Sequence, residues 1–113
     1  MLEATEIAIA GTLAANGGGG GEGTGSGDEG YRASPDAIPA PGGHTGTVAT
    51  VDDGGSGSAA TAVDGANGST TAGGGGGGAG RIRLNSSSGR ADVTGVLSPA
   101  AATTCATEGK LGG

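Results

Sequence analysis

Gly73-Gly74-Gly75-Gly76-Gly77-Gly78-Ala79-Gly80-Arg81-Ile82-Arg83-Leu84-Asn85 joins the two materials of which this chain is made. The first is backbone with almost no side chain. The second is a short alternating strand that can bury one face. Ile82 and Leu84 point one way along that strand, and Arg81 and Arg83 the other. Most other segments of the 113 residues are of one kind or the other.

Two further stretches share the alternation. In Glu6-Ile7-Ala8-Ile9-Ala10-Gly11-Thr12-Leu13-Ala14, the residues Ile7, Ile9, Gly11 and Leu13 fall on one face. The alanines of residues 2–15 would suit a helix, but the two Ile residues, the two Thr residues and the central Gly11 favour a strand. Downstream of Asn85, Ser86-Ser87-Ser88-Gly89 reads as a turn. Ala91-Asp92-Val93-Thr94-Gly95-Val96-Leu97-Ser98 reads as a strand ended by Pro99. Ile9-Ala10-Gly11-Thr12-Leu13-Ala14 and Val93-Thr94-Gly95-Val96-Leu97-Ser98 share the form apolar-x-Gly-x-Leu-small. Such an echo suggests stacked equivalents, each rung burying its inward side chains on the next. The expected stacking core is Ile7, Ile9, Leu13, Ile82, Leu84, Val93 and Leu97, with Gly11 and Gly95 allowing close backbone approach.

The expected fold is mainly β: a short parallel β-solenoid-like stack with strands near 5–14, 81–85 and 91–98. Its long glycine-rich loops, 16–30 and 42–80, would be polyproline II-like or irregular. Asn16-Gly17 reads as the start of a turn. Where the glycine blocks pack, they would do so backbone to backbone, with only hydrogen between chains. Thr47-Val48-Ala49-Thr50-Val51 and Ala60-Thr61-Ala62-Val63 are weaker strand candidates. Between residues 31 and 41, three prolines impose extended backbone; Tyr31 and Ile38 would pin this loop to a sheet face. The whole reads as one glycine-rich module. Two or three rungs are few for independent stability, so a piece of a longer chain, or assembly with other copies, is expected.

Composition narrows the function. There are 30 Gly and 4 Pro, no Phe or Trp, and a single Tyr. Leu, Ile and Val number only fourteen, too few for a core of large side chains. Disorder is therefore a live reading, although only 14% of residues are charged, so charge repulsion would not drive it. A net charge of −6 argues against nucleic acid and anionic membrane surfaces, which attract Lys and Arg. No apolar run reaches the roughly 18 residues of a membrane span. No basic-then-apolar leader opens the sequence. The lone Cys105 excludes an intrachain disulfide.

The segments 11–20, 73–85, 95–99 and 105–111 resemble repeat units of large glycine-rich exported proteins of soil bacteria, the PGRS-like kind. The Arg81-Ile82-Arg83-Leu84-Asn85 junction is the most specific part of that likeness. The resemblance covers both ends of the chain better than its middle. It implies a parallel β-solenoid with glycine-rich loops, secreted or at the cell surface, with this chain as a C-terminal unit. It implies no catalytic residues.

Candidate chemistry is sparse. Gly25-Ser26-Gly27-Asp28-Glu29-Gly30 fits Gly-x-Gly-x-x-Gly, but it lacks the strand before and the helix after that a dinucleotide needs. Gly109-Lys110 lacks the rest of a phosphate loop. Asp28, Glu29, Asp52, Asp53 and Asp64 sit in glycine-rich turns and are the only calcium candidates; solvated turn acids are the plainer reading. His44 and Cys105 are each alone of their kind, too few for a zinc site. A Cys–His nucleophile would need a pocket and an oxyanion hole as well. Asn67-Gly68-Ser69 and Asn85-Ser86-Ser87 are glycosylation sequons. Asn85 is expected instead to end a strand through side-chain-to-backbone hydrogen bonds. Thr45, Thr47, Thr50, Thr70, Thr71, Thr103 and Thr104 have no fixed spacing, against an ice-binding face. The reading that fits is a non-enzymatic extracellular structural or adhesive module without a cofactor. It would associate head to tail with copies of itself or with the rest of a longer chain. A disordered spacer and a weak calcium-dependent binding module are the alternatives.

Overall fold

The computed structural model describes residues 1–23, 27–44, 52–69 and 72–112. The candidate strand 47–51 and Gly25-Ser26 of the glycine motif lie outside these. Among the described residues there are seven strands: β1 (Leu2–Glu3), β2 (Ala8–Ile9), β3 (Thr12–Ala14), β4 (Ile82–Ser86), β5 (Asp92–Val93), β6 (Val96–Ser98) and β7 (Ala106–Lys110). Among the described residues there is no helix, and so none long and apolar enough to cross a membrane.

Among the described residues every pairing between these strands is parallel. β1, β4 and β7 form one sheet in that order, β2 pairs with β5, and β3 with β6. The register sets Leu2 on Leu84, Ile9 on Val93 and Leu13 on Leu97. The two halves of the apolar-x-Gly-x-Leu-small echo therefore lie one on the other. Ile82, Leu84 and Ala106 are buried, and Ile7, Ile9, Leu13, Val93 and Leu97 pack against them with Ala15 and Ala91. Gly95 needs its missing side chain, since a Cβ there would strike Gly11 O at less than 3.0 Å. Gly11 does not, because nothing lies within 4 Å of a Cβ placed on it. The expectation of close approach holds for the second glycine alone.

The described residues of the expected glycine-rich loops 16–30 and 42–80 are joined to one another, and to residues 31–41, by backbone hydrogen bonds. They form a bundle of six extended runs: residues 16–23, 28–33, 39–44, 52–59, 62–69 and 72–80. Backbone hydrogen bonds between runs recur every third residue. Gly17, Gly20 and Gly23 donate to the carbonyls of Ser58, Gly55 and Asp52. Gly74, Gly77 and Gly80 donate to those of Gly21, Gly18 and Ala15. A three-residue period is that of the polyproline II helix, which makes no bonds within itself. Each run therefore has every donor and acceptor free for its neighbours.

The runs form two layers of three. The second, first and sixth runs make one layer; the third, fourth and fifth make the other. Bonds within and between layers close circuits. Gly20 N–H donates to Gly55 O, Gly55 N–H to Gly74 O, and Gly74 N–H to Gly21 O, at 2.8–2.9 Å. Three residues along, Gly17, Ser58 and Gly77 repeat the circuit, ending on Gly18 O. Asn16-Gly17 thus begins a straight run, not a turn. Residues 60–63 are also corrected: Ala59 and Ala62 make one isolated antiparallel bridge around a turn. The side chains of Tyr31 and Ile38 do not pin this loop to a sheet face, being 64% and 67% exposed.

The glycines divide sharply by what a side chain would meet. A Cβ on Gly17, Gly20, Gly54, Gly57 or Gly76 would land on a neighbouring run's carbonyl, closer than 3.0 Å. On Gly75 and Gly78 the nearest atoms are 3.7 and 3.6 Å away. Gly20→Ala and Gly76→Ala are therefore expected to destabilise by about 2 kcal/mol or more, because two backbones must separate. Gly75→Ala and Gly78→Ala should be neutral, or stabilising by up to about 1 kcal/mol through the unfolded chain. Urea melts of the four variants check this; equal effects at inner and outer positions would refute the packing described.

Candidate functional site

Two places concentrate side-chain chemistry: the junction between strands and bundle, and the far end of the bundle.

At the junction, Asn16 leaves β3 and enters the first run. Its Nδ2 donates to Ser34 O at 3.0 Å and Asp36 O at 2.7 Å, while its Oδ1 accepts from Ser98 Oγ. Ser98 Oγ in turn accepts from Ala60 N–H at 2.8 Å. Ala60 lies in the left-handed region, with φ of 51°, a conformation costly for an L-residue. That conformation accompanies two ties to the sheets, since Ala60 O also accepts from Ala100 N–H. Ser58 is fully buried and receives Gly17 N–H on both its carbonyl and its Oγ. Asp36 holds the proline-rich connection through Ser34 Oγ and Ile38 N–H, each at 2.8 Å. This polar pin takes the place of the expected Tyr31 and Ile38 anchor.

Outside the stack, a second polar line crosses from β1 to β4. Asn85 Nδ2 donates to Glu3 Oε1, and Arg83 Nε donates to Asn85 Oδ1, both at 2.8 Å. Asn85 lies inside β4 and bonds side chains, so it does not end the strand through the expected side-chain-to-backbone hydrogen bonds.

At the far end, His44 Nδ1 meets Asp53 Oδ1 at 2.7 Å, joining the third and fourth runs. Glu22 Oε2 accepts from Asp28 N–H nearby. The hydrogen bond and charge of Asp53 raise the His44 pKa above its ordinary 6.5, with smaller help from Glu22 and Asp28. The calcium candidates do not converge. Asp28, Glu29, Asp52 and Asp53 lie near this end, whereas Asp64 lies on the fifth run beside the strands. Among the described residues no three His, Cys, Asp or Glu side chains form a metal-holding group. Cys105 is a half-buried free thiol just before β7, at the opposite end from His44. Of the threonines, Thr103 caps a turn by donating to Ala100 O at 2.7 Å; Thr45, Thr47, Thr50, Thr70 and Thr71 lie outside the described residues.

No protein-family model, curated protein or solved structure matches the chain.

Two expectations follow. Ser98→Ala would leave Asn16 Oδ1 and Ala60 N–H without their partner, at about 1–3 kcal/mol. Loss of bundle protection in amide exchange should accompany the loss in melting temperature. For His44, a raised folded-state pKa means stabilisation that is full below the unfolded value of 6.5 and fades as pH rises through the folded value. An imidazole NMR titration should give a midpoint above 6.5 that returns toward it in Asp53→Asn; a native midpoint at or below 6.5 would overturn the pairing.

Proposed function

We propose that this chain is a non-enzymatic structural module, secreted or displayed at a cell surface. In this reading a short parallel β-solenoid stack carries a rigid glycine bundle. The module joins copies of itself or the rest of a longer chain. The observation that carries this is the three-residue ladder of backbone bonds, which builds order out of main chain and leaves few side chains to do chemistry. The molecule it makes is elongated, 56 × 21 × 19 Å, the shape of a spacer that holds its length.

The solenoid reading is supported by strand order. Segment 2–14 passes through three sheets in sequence, and segment 82–98 passes through the same three beneath it. The non-enzymatic reading is supported by the separation of His44 from Cys105. The extracellular reading rests on the resemblance to exported glycine-rich proteins. Joining to copies of itself or to the rest of a longer chain is supported by the described stack having edge strands at both ends: β1, β2 and β3 at one, and β5, β6 and β7 at the other. Unpaired edges are templates for further pairing. No cofactor enters this reading.

The test has two parts. Amide exchange followed by NMR should show slow exchange at Gly17, Gly20, Gly55, Ser58, Gly74 and Gly77, and fast exchange at Gly18, Gly75 and Gly78, repeating the three-residue period. Uniformly fast exchange would mean a disordered spacer. Sedimentation of the whole chain should give an apparent mass that rises with concentration above 10.1 kDa. A mass independent of concentration would remove self-association from the proposal.

A further inference from the structure

The dipeptide Asn-Gly occurs twice, at Asn16-Gly17 and at Asn67-Gly68. Asparagine is chemically labile, and most so before glycine. The next residue's nitrogen can attack the side-chain amide carbon, and glycine puts no side chain in the way. That nitrogen must be free, the peptide joining the two residues must be able to swing, and the side-chain amide must be able to leave. The fold treats the two pairs in opposite ways.

At the first pair these conditions fail. Gly17 is buried, and its N–H donates to Ser58 O at 3.2 Å and to Ser58 Oγ at 3.0 Å. Asn16 Nδ2, the group that would leave, donates to Ser34 O and Asp36 O. Asn16 Oδ1 accepts from Ser98 Oγ.

At the second pair they are met. Asn67 is exposed on the fifth run, at the edge of its layer. Among the described residues, the Asn67 side chain, Asn67 C=O and Gly68 N–H have no hydrogen-bond partner. The three-residue period is the reason. The fifth run is held to the fourth by Ala66 N–H on Ser56 O and by Ser69 N–H on Asp53 O, both at 2.8 Å. The peptide between residues 67 and 68 falls between these rungs, so it can turn without breaking a backbone bond.

We propose that Asn67 is a site of spontaneous deamidation, with water as the only co-reactant. Gly68 N attacks Asn67 Cγ and a bond forms between them. The bond from Cγ to Nδ2 breaks, and Nδ2 leaves as ammonia with the proton that Gly68 gave up. Water then opens the cyclic imide. Opening at Cγ leaves aspartate; opening at the main-chain carbonyl leaves isoaspartate, with the chain now routed through the former side chain. Isoaspartate adds one atom to the main chain between Ala66 and Ser69. The two rungs then no longer match the spacing of Ser56 and Asp53, so one of them is lost and the edge run loosens. The new carboxylate also joins a chain that already carries a net charge of −6. The bundle thus carries an ageing site on its edge, while the same dipeptide at its seam with the strands is locked.

The test is to incubate the folded 113-residue chain in mildly alkaline buffer, with a second sample unfolded in urea. Peptide mapping then follows aspartate and isoaspartate at positions 16 and 67. Each folded-state rate is divided by the rate of the same position in urea, which removes the chemistry of the dipeptide itself. On that scale position 16 should convert at least about tenfold more slowly than position 67, because it reacts only when the bundle opens. Asn67→Gln, which would have to close a larger ring, should melt like wild type and stay unconverted at 67. Chain carrying isoaspartate at 67 should lose amide-exchange protection at Ala66 or Ser69 and keep it at Gly17 and Gly20. Equal scaled rates at 16 and 67, or slower conversion at 67, would overturn the proposal. Unchanged protection at both Ala66 and Ser69 would overturn the loosening of the run.

Discussion

A hydrogen atom where other residues carry Cβ is the constraint on which this molecule depends. Six extended runs can lie side by side with direct backbone bonds only if nothing protrudes between them. Gly20 illustrates the geometry: it donates to Gly55 O, accepts from Gly43 N–H, and has Gly74 O where its side chain would be. Glycine is ordinarily the costliest residue to order. Here the ordering is offset by backbone bonds that link each run to several others, and by the dispersion contact that close approach brings. The bundle is a fold in which main chain does the work usually assigned to a hydrophobic core.

The strand stack solves the complementary problem. It has side chains to bury, but few of them, and Leu84 and Ile82 at its centre are sealed mainly by half-buried neighbours. Neither part offers a broad apolar surface to hold the other. The union is polar: Ser58 and Ser98 are fully buried, and Asn16 bonds in three directions. That follows from what must be satisfied there. Where an extended run ends, its N–H and C=O groups lose their neighbours, and a buried orphan is expensive. Short side chains with both donor and acceptor capacity can fill those vacancies without pushing backbones apart. Among the described residues no buried side-chain polar atom lacks a partner.

The legible part of the sequence was the part with side chains. The two-residue alternation of Ile7, Ile9 and Leu13, of Ile82 and Leu84, and of Val93 and Leu97 located the strands that stack. The echo around Gly11 and Gly95 matches the register of the pairing. β1 escaped notice because it has only two residues. β7 escaped because Ala106-Thr107-Glu108-Gly109-Lys110 has charges where an inward apolar pattern would be sought. Backbone-to-backbone packing of the glycine blocks was expected, but which glycines face inward was unreadable for a different reason. In Gly73 to Gly78 the three-residue period exists only in which glycine faces inward, and six identical residues cannot display a phase. Outside that block the period does surface: Gly54 and Gly57 sit three apart, with polar or small residues between. The Asn16-Gly17 turn reading failed because the dipeptide is a local signal, whereas tertiary bonds to Ser58 decide its conformation. The candidate acids were legible as acids, but their dispersal among the runs depends on how six segments fold back, which no local pattern records.

Two periods meet in this chain, two residues in the strands and three in the bundle, and the place where they meet shows how one passes into the other. Ala15 N–H donates to Ser98 O, continuing the ladder between β3 and β6. Ala15 C=O accepts from Gly80 N–H, the last rung of the ladder between the first and sixth runs. One residue thus gives its donor to a sheet and its acceptor to the bundle. On the returning strand the change takes two residues, for Gly80 closes the bundle and Ile82 N–H already donates to Cys105 O beside β7. Entry and exit lie against each other, so the bundle can leave the stack and come back without opening it. The insertion of some sixty residues between two rungs is tolerated because both of its ends are bonded to one another at the seam. A loop closed in this way adds length to the module without loosening the register of the strands, and Leu13 still lies on Leu97.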